Sequence, residues 1–374
     1  MRNIKDIKSI IIKVGSTSLC DEEGHIDRER VLKIISQIAE LKRSGYQVAL
    51  VSSGAIAAGV GSLGLASRPS NVPQKQALAA IGQAGLMGIY EELFGIFHLK
   101  CAQILLNHED FDDRKRLKHL YDTMNALKEY DVVPIINEND ALSVQEIKVG
   151  DNDTLGALMV PVLEAQLLIL VSDIDGLYTA NPKEDPNAKL ISYVPKITKK
   201  IMSYAGDSSS KFGTGGMATK LKAARMVNDY GSHMCIVNGN NPNCILNAFK
   251  DEGTWFNGSE GKNLKAREHW MAYRAKPKGT IIVDQGCKDA IKGYHVSLLP
   301  KGILDVTGDF MRGDVANVKD EAGHLIARGI VNYGSEEIRL IKGSNTSEIE
   351  RILNYKYYDE VIHANNMYVY KGEE

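Results

Sequence analysis

Short apolar runs alternate along this chain with longer segments of helical spacing. "SIIIKV" (Ser9–Val14) is a β-branched run that stops at Gly15 and reads as a strand. From Asp27 to Ser44, Val31, Ile34, Ile35, Ile38 and Leu41 share one helix face, and Gly45 closes that helix as a C-cap. The alternation continues through the strand "QVALVS" (Gln47–Ser52), a long helix from Gln74 to Phe97, the strand "CAQILL" (Cys101–Leu106) and a helix from Asp113 to Glu129. Then come "VVPIIN" (Val132–Asn137), a helix from Asp151 to Leu163, "LLILVS" (Leu167–Ser172), a helix reaching Tyr230, and "HMCIV" (His233–Val237). Continuous apolar strands separated by helices specify an α/β protein with a mainly parallel sheet covered on both faces.

The pattern changes after about Phe256. "NGSEGKNLKAREHWMAYRAKPKG" is polar and reads as a linker. Beyond it, "TIIVD", "SLLPKGILDVTG", "DVANVKD" and "HLIARGIVNYG" are short strands with tight turns, which predicts a small β-rich domain, with a short helix at Glu348–Asn354. The boundaries drawn this way are residues 1–258, a linker at 259–276, the β-rich domain at 277–363 and a tail at 364–374.

Ligands of an open parallel sheet bind at the carboxyl ends of its strands. The loops there read "KVGSTS", "SSGAIAAG", "NENDA" with "KVGDND", "SDIDGLYTANP" and "KFGTGGMATK". All five are small, polar or glycine-rich, and none contains histidine. An enzyme built on them needs a nucleophile that works without a histidine base. A carboxylate, ionised at neutral pH with a pKa near ~4.3, meets that condition. The glycines of "GTGGMATK" let backbone N–H groups approach an anion at a helix N-terminus. Lys13 and Lys220 are two cations aimed at such an anion, and a carboxylate such as Asp153 between them would hold both. Glu138, Asp140, Asp151 and Asp153 leave three uses open: a magnesium site, a helix cap, or recognition of an ammonium group. Amides beside carboxylates suit a zwitterionic amino acid, with Asn meeting its carboxylate and Asp its ammonium.

"GVGSLG" (Gly59–Gly64) matches G-x-G-x-x-G but not as a dinucleotide fingerprint, because no acidic residue lies between Gly64 and Glu91. The P-loop and protein-kinase signatures are missing as well. Composition removes further classes. The formal net charge of -2 argues against a general nucleic-acid or membrane-surface binder. Five scattered cysteines without a C-x-x-C pair fit a reducing cytoplasm. No signal-peptide layout or membrane-length apolar run is present, so a cytoplasmic location is expected.

Taken together, "KVGSTSL", "VSSGAIAAG", "KQALAAIGQ", "INENDA", "KVGDND", "SDIDGLYTANP" and "GTGGMATK" resemble, in this order, the motifs of the glutamate 5-kinases within the amino acid kinase family. The match runs from about Ser9 to about Phe256, and the tail resembles a PUA domain. The resemblance implies a three-layer αβα fold and transfer of the ATP γ-phosphate to the side-chain carboxylate of L-glutamate, the first step of proline biosynthesis. It implies magnesium with the ATP, inhibition by proline, and a homo-oligomer. Carried over by position, Lys13, Lys220 and Asp153 are the catalytic set, with no protein metal ligand assigned. Ser53, Asp140 and Asn152 are glutamate contacts. The nucleotide contacts are Lys13, Ser172, Asp173, Thr214, Gly215, Gly216, Met217, Ala218, Thr219 and Lys220. One departure is Asn181 in "TANP", where the family often has Asp. The competing reading is an RNA-binding protein acting through the PUA-like tail. Its 13 Lys and Arg against 15 Asp and Glu from Ala275 to Glu374 make a poor RNA surface.

Overall fold

The computed structural model describes residues 2, 4–21, 23–142, 152–205, 216–258, 266–294 and 296–370. The chain divides into two units, Met1–Asn263 and Leu264–Glu374.

The first unit is a single eight-stranded sheet flanked by helices. Its strands are β1 (Ser9–Val14), β2 (Gln47–Val51), β3 (Cys101–Leu106), β4 (Val133–Glu138), β5 (Leu167–Ser172), β8 (Tyr193–Val194), β9 (His233–Asn238) and β10 (Thr254–Phe256), with a separate hairpin of β6 (Leu177–Tyr178) and β7 (Leu190–Ile191). Its helices are α1 (Ser16–Leu19), α2 (Arg28–Arg43), α3 (Ala55–Ser62), α4 (Val72–Ile96), α5 (His108–Asp112), α6 (Arg114–Glu129), α7 (Asn152–Met159), α8 (Lys199–Ser203), α9 (Met217–Asp229) and α10 (Cys244–Asn247).

The strand order is β3-β4-β2-β1-β5-β9-β10-β8. Every pairing from β3 to β9 is parallel, and only β10 runs against β9. Ile10, Ile12, Val14, Val48, Leu50, Ile135, Leu167 and Ile169 turn one sheet face toward α2 and α4. The alternate residues Ile11, Ala49, Ile136, Leu168 and Ile236 are buried on the other face, where α7 packs against β1 and α9 against β9. Apolar strands with both faces covered give the expected three layers. The α2 boundaries follow from local chemistry. The Asp27 side chain accepts from the N–H groups of Glu29 and Arg30. Gly45, at φ +88, then lets the Tyr46 N–H reach back to the Leu41 carbonyl.

The G-x-G-x-x-G run serves packing. A Cβ on Gly59 would lie 2.1 Å from the Leu78 carbonyl oxygen, and one on Gly82 1.9 Å from that of Ala55. Both glycines allow α3 and α4 to touch backbone to backbone.

The second unit carries a five-stranded sheet of order β12-β11-β13-β14-β15. These are β11 (Gly279–Val283), β12 (Ile303–Gly308), β13 (Val315–Asp320), β14 (Leu325–Ile330) and β15 (Met367–Val369), accompanied by α11 (Ala266–Tyr273), α12 (Gln285–Gly293), α13 (Ser335–Ile341) and α14 (Ile349–Leu353). Two expectations are corrected here. The stretch 259–276 is more than a linker: it contains α11, which buries His269 and Met271 and packs against β14 and β15. The tail 364–374 contains β15, whose Met367 to Val369 pair with Gly329 to Ala327. Polar flanking residues hide both elements from a reading of composition. Among the described residues, no helix is long and apolar enough to cross a membrane.

Candidate active site

Strand order reverses beside β1, which has β2 on one side and β5 on the other. A crevice at such a switch point is where parallel sheets bind ligands. Lys13, Asp153 and Lys220 meet there from β1, α7 and α9, and Ser53, just after β2, meets Asn152 of α7.

Lys13 occupies the penultimate position of β1, where the run is otherwise apolar. Asp153 stands in the first turn of α7, and Lys220 in the first turn of α9. The Lys13 ammonium lies 2.5 Å from Asp153 Oδ1, and Lys220 Nζ donates to Asp153 Oδ2 at 2.9 Å. The three side chains are only 11%, 2% and 8% exposed in the order Lys13, Asp153, Lys220. Burial by itself pushes the Asp153 carboxyl up, but the two ammonium groups outweigh it and hold the carboxyl below its usual range. Gly156 eases the seating of α7 on the sheet: a Cβ there would press on Leu168 Cδ1 at 3.2 Å and touch Lys13 Cβ at 3.6 Å. Two buried ammonium groups sharing one carboxylate leave a surplus positive charge facing the crevice. Such an arrangement has the chemistry to receive an anion, with the cations spaced in advance.

Beside the triad runs a chain of side-chain amides. Asn152 Nδ2 donates to the Ser52 carbonyl at 2.8 Å, to Ser53 Oγ at 2.7 Å and to Asn137 Oδ1 at 3.2 Å. Asn137 Nδ2 donates to Gln83 Oε1 at 2.9 Å, and Gln83 Nε2 to Gln103 Oε1 at 3.1 Å. Asn152 Oδ1 is buried with no hydrogen-bond partner among the described residues. This changes the expected role of Asn152. Its two N–H groups are shared among these three acceptors, so the atom left over accepts. In this orientation the free atom suits an ammonium group rather than a carboxylate.

Asp140 lies beyond the end of β4, half-buried, where burial raises its carboxyl above the ordinary range and the Arg68 charge opposes the rise. It lines a cavity of about 340 Å³ together with Ala79, Gln83, Gln103, Glu138 and Asn139. The residues assigned to the nucleotide sit on the far side of β1. Ser172 ends β5 and donates to Asp173 Oδ1 at 3.1 Å, and Asp173 is exposed. Gly216 is the N-cap of α9 and offers no side chain to its first-turn N–H groups. Met217 and Thr219 are half-buried and Ala218 is exposed in that turn, where Thr219 Oγ1 donates to the Gly216 carbonyl at 2.7 Å. Thr214, Gly215 and Asp151 lie outside the described residues.

Sequence reasoning did not single out Gln83, Gln103 or the Asn137 side chain. The available signal was a glutamine directly after the close-packing Gly82 in "AIGQ".

Comparison with known proteins places the chain in a family. The sequence model of the amino acid kinase family matches residues 8–238, and that of the PUA domain matches residues 279–353. The chain is 45% identical over 366 residues to a glutamate 5-kinase of Geobacter sp. (strain M21), covering 97% of this chain and 98% of that one. It is 45% identical over 367 residues to a glutamate 5-kinase of Caldanaerobacter subterraneus subsp. tengcongensis, covering 98% of each. A carbamate kinase from Giardia lamblia, solved bound to AMP-PNP, shares the fold, with a TM-score of 0.50 at 15% identity over 68% of this chain and 99% of that one. The chain therefore belongs to the amino acid kinase family, in its glutamate 5-kinase branch, and carries a PUA domain after the kinase unit.

Proposed function

We propose that the first unit transfers the γ-phosphoryl group of ATP to the side-chain carboxylate of L-glutamate, giving L-glutamyl 5-phosphate, the first intermediate of proline biosynthesis. The observation that carries this reading is the buried triad, in which one carboxylate spaces two ammonium groups at the switch point of the sheet. Phosphoryl transfer needs alignment and charge neutralisation rather than a strong base. The attacking carboxylate is already ionised, which agrees with a site built without histidine.

Lys220, at the start of α9, meets the triphosphate together with the first-turn N–H groups of that helix, and Lys13 meets it from β1. As the γ-phosphoryl leaves ADP, anionic oxygens from two molecules crowd together, and the lysines offset their repulsion. Asp153 fixes the ammonium groups beforehand, so little reorganisation accompanies the reaction. The amino acid lies on the β2–β4 side. Its ammonium group meets Asn152 Oδ1 and the Asp140 carboxylate.

Magnesium enters as the magnesium–ATP complex. Bound there, it would offset the charge of the phosphates, whose oxygens are of the kind this ion takes as ligands. Proline carries the same α-carboxylate and an ammonium group, so it competes for Asp140 and Asn152.

The test is ADP release with ATP and L-glutamate in the presence of hydroxylamine. The reading expects glutamate-dependent ADP matched by γ-glutamyl hydroxamate. ADP released without hydroxamate, or driven equally by carbamate or aspartate, would overturn it.

A further inference from the structure

We propose that Gln83 is a positioning residue for amino-acid recognition, which acts through Asn137 to hold the Asn152 amide with its oxygen toward the substrate's ammonium group. The inference rests on the reading of an amino-acid substrate given above.

Two backbone groups set the direction of the amide chain. The Ser52 carbonyl can only accept, and it lies 2.8 Å from Asn152 Nδ2. The Glu138 N–H can only donate, and it lies 2.9 Å from Asn137 Oδ1. Asn137 therefore presents its Nδ2 to Gln83, and Gln83 must answer with an oxygen, at 2.9 Å. Gln83 then turns its own nitrogen to Gln103 Oε1 at 3.1 Å. Each amide donates in the same sense, away from the crevice and toward the edge strand β3. The opposite end of the chain is Asn152 Oδ1, the buried acceptor with no partner among the described residues. The chain thus delivers one acceptor to the place where an ammonium group is to be recognised.

Gln83 reaches this position because of its neighbour. Gly82 lets α4 press against the Ala55 carbonyl at the start of α3, which brings the next residue over the end of β4. Without an oxygen on residue 83, Asn137 would hold a buried N–H with no acceptor and would gain by turning away. Asn152 would then lose one of its three restraints, and its oxygen would no longer be held for the substrate.

The experiment uses the full chain and three variants, Gln83→Met, Gln83→Glu and Gln103→Leu, with circular dichroism to confirm folding. Steady-state rates of γ-glutamyl hydroxamate formation give kcat and both Michaelis constants. Gln83→Met should raise KM for L-glutamate about tenfold, with kcat and KM for ATP within about twofold. Gln83→Glu should recover KM to within about threefold of the parent. Charged or protonated, its side chain still turns an oxygen to Asn137. Gln103→Leu, at the exposed end, should raise KM for glutamate about two- to threefold. The inference is overturned by a rise under about threefold in Gln83→Met, by a parallel rise in KM for ATP, or by a Gln83→Glu enzyme as impaired as Gln83→Met. Should Gln83→Met fail to fold, an unchanged KM in Gln103→Leu overturns it as well. A parent enzyme that forms no hydroxamate would instead contradict the substrate assignment.

Discussion

Asp153 in the kinase unit and Asp320 in the PUA unit each have two nitrogen-bearing side chains beside them, but in very different settings. Asp320 accepts from Lys288 at 2.8 Å, faces His324 Nδ1 at 3.2 Å and takes the His324 N–H at 2.8 Å. The Lys288 hydrogen bond, followed by those of His324, holds its carboxyl well below the usual range although desolvation opposes them. All of these partners except Lys288 belong to the turn between β13 and β14, and the His324 side chain is 77% exposed. Such a carboxylate closes a turn. The partners of Asp153 come from β1 and α9, and all three groups are nearly enclosed. Burying three charges adds little to stability compared with an apolar core, and clusters of this kind gather at functional sites.

Removing the two carboxylates is the strongest way to break this comparison. Asp153→Asn leaves two ammonium groups facing each other in a buried place. It should cost about 3–5 kcal/mol of stability, seen as a lower thermal midpoint, along with most of the activity. Asp320→Asn should leave kcat within about twofold of the parent. Equal loss of activity in the two variants would mean that the triad has no special role.

The lysines give the next largest contrast. Lys220→Met should lower kcat by about 10²–10³-fold with little change in KM for glutamate. Lys288→Met, its counterpart beside Asp320, should be silent in the same assay. A Lys220→Met enzyme within a few-fold of the parent would make Lys220 an ordinary first-turn residue.

Asp140 then separates the two halves of the site. Asp140→Ala should raise KM for glutamate about 30-fold, near the lower end of the cost of breaking a charged contact, and leave KM for ATP nearly unchanged. Its carboxyl is raised by burial, so it takes up a proton at a higher pH than an exposed carboxylate does. KM for glutamate should therefore rise as the pH is lowered from neutral, and Asp140→Ala should flatten that rise. Asp153 shifts the other way. Its stabilising contribution is complete above the unfolded carboxylate value of about 3.9 and is lost only as pH falls through its lower folded value. Saturated turnover should accordingly hold over the range in which KM climbs. If kcat falls together with glutamate affinity, Asp140 and Asp153 are not separable in this way.

The smallest expected effect is that of deleting the PUA unit. A chain ending at Asn263 should keep glutamate-dependent turnover. A chain ending at Lys276 should be less soluble, because α11 would expose Trp270 and Met271 without β14 and β15. Loss of activity at Asn263 would show that the second unit contributes to catalysis.

Much of this was legible in the residues. Long apolar strands and capped helices announce themselves, as Asp27 and Gly45 do at the two ends of α2. Lys13 was legible because a lysine inside "SIIIKV" needs a partner. The short strands β6, β7, β8 and β10 carry too few residues to show a period. The helix α11 was hidden by lysines and glycines before it, although "HWM" is its buried core. The direction of the Asn152 amide depends on the Ser52 carbonyl, a backbone atom with no trace in side-chain pattern. Sequence alone therefore named Asn152 but carried no sign of which way its amide faces.

The central claim is that the glutamate side-chain carboxylate attacks the γ-phosphorus in the field of Lys13 and Lys220. It can be tested with L-glutamate labelled with ¹⁸O in that carboxylate. The enzyme, unlabelled ATP and hydroxylamine are combined, and the released phosphate is examined by ³¹P NMR. Attack by the carboxylate places its oxygen in the bridge to phosphorus. Hydroxylamine then opens the acyl carbon and leaves that oxygen on the phosphate. The account predicts one ¹⁸O in each phosphate formed along with hydroxamate. Unlabelled phosphate would contradict it, because the oxygen attacking phosphorus would then have come from water.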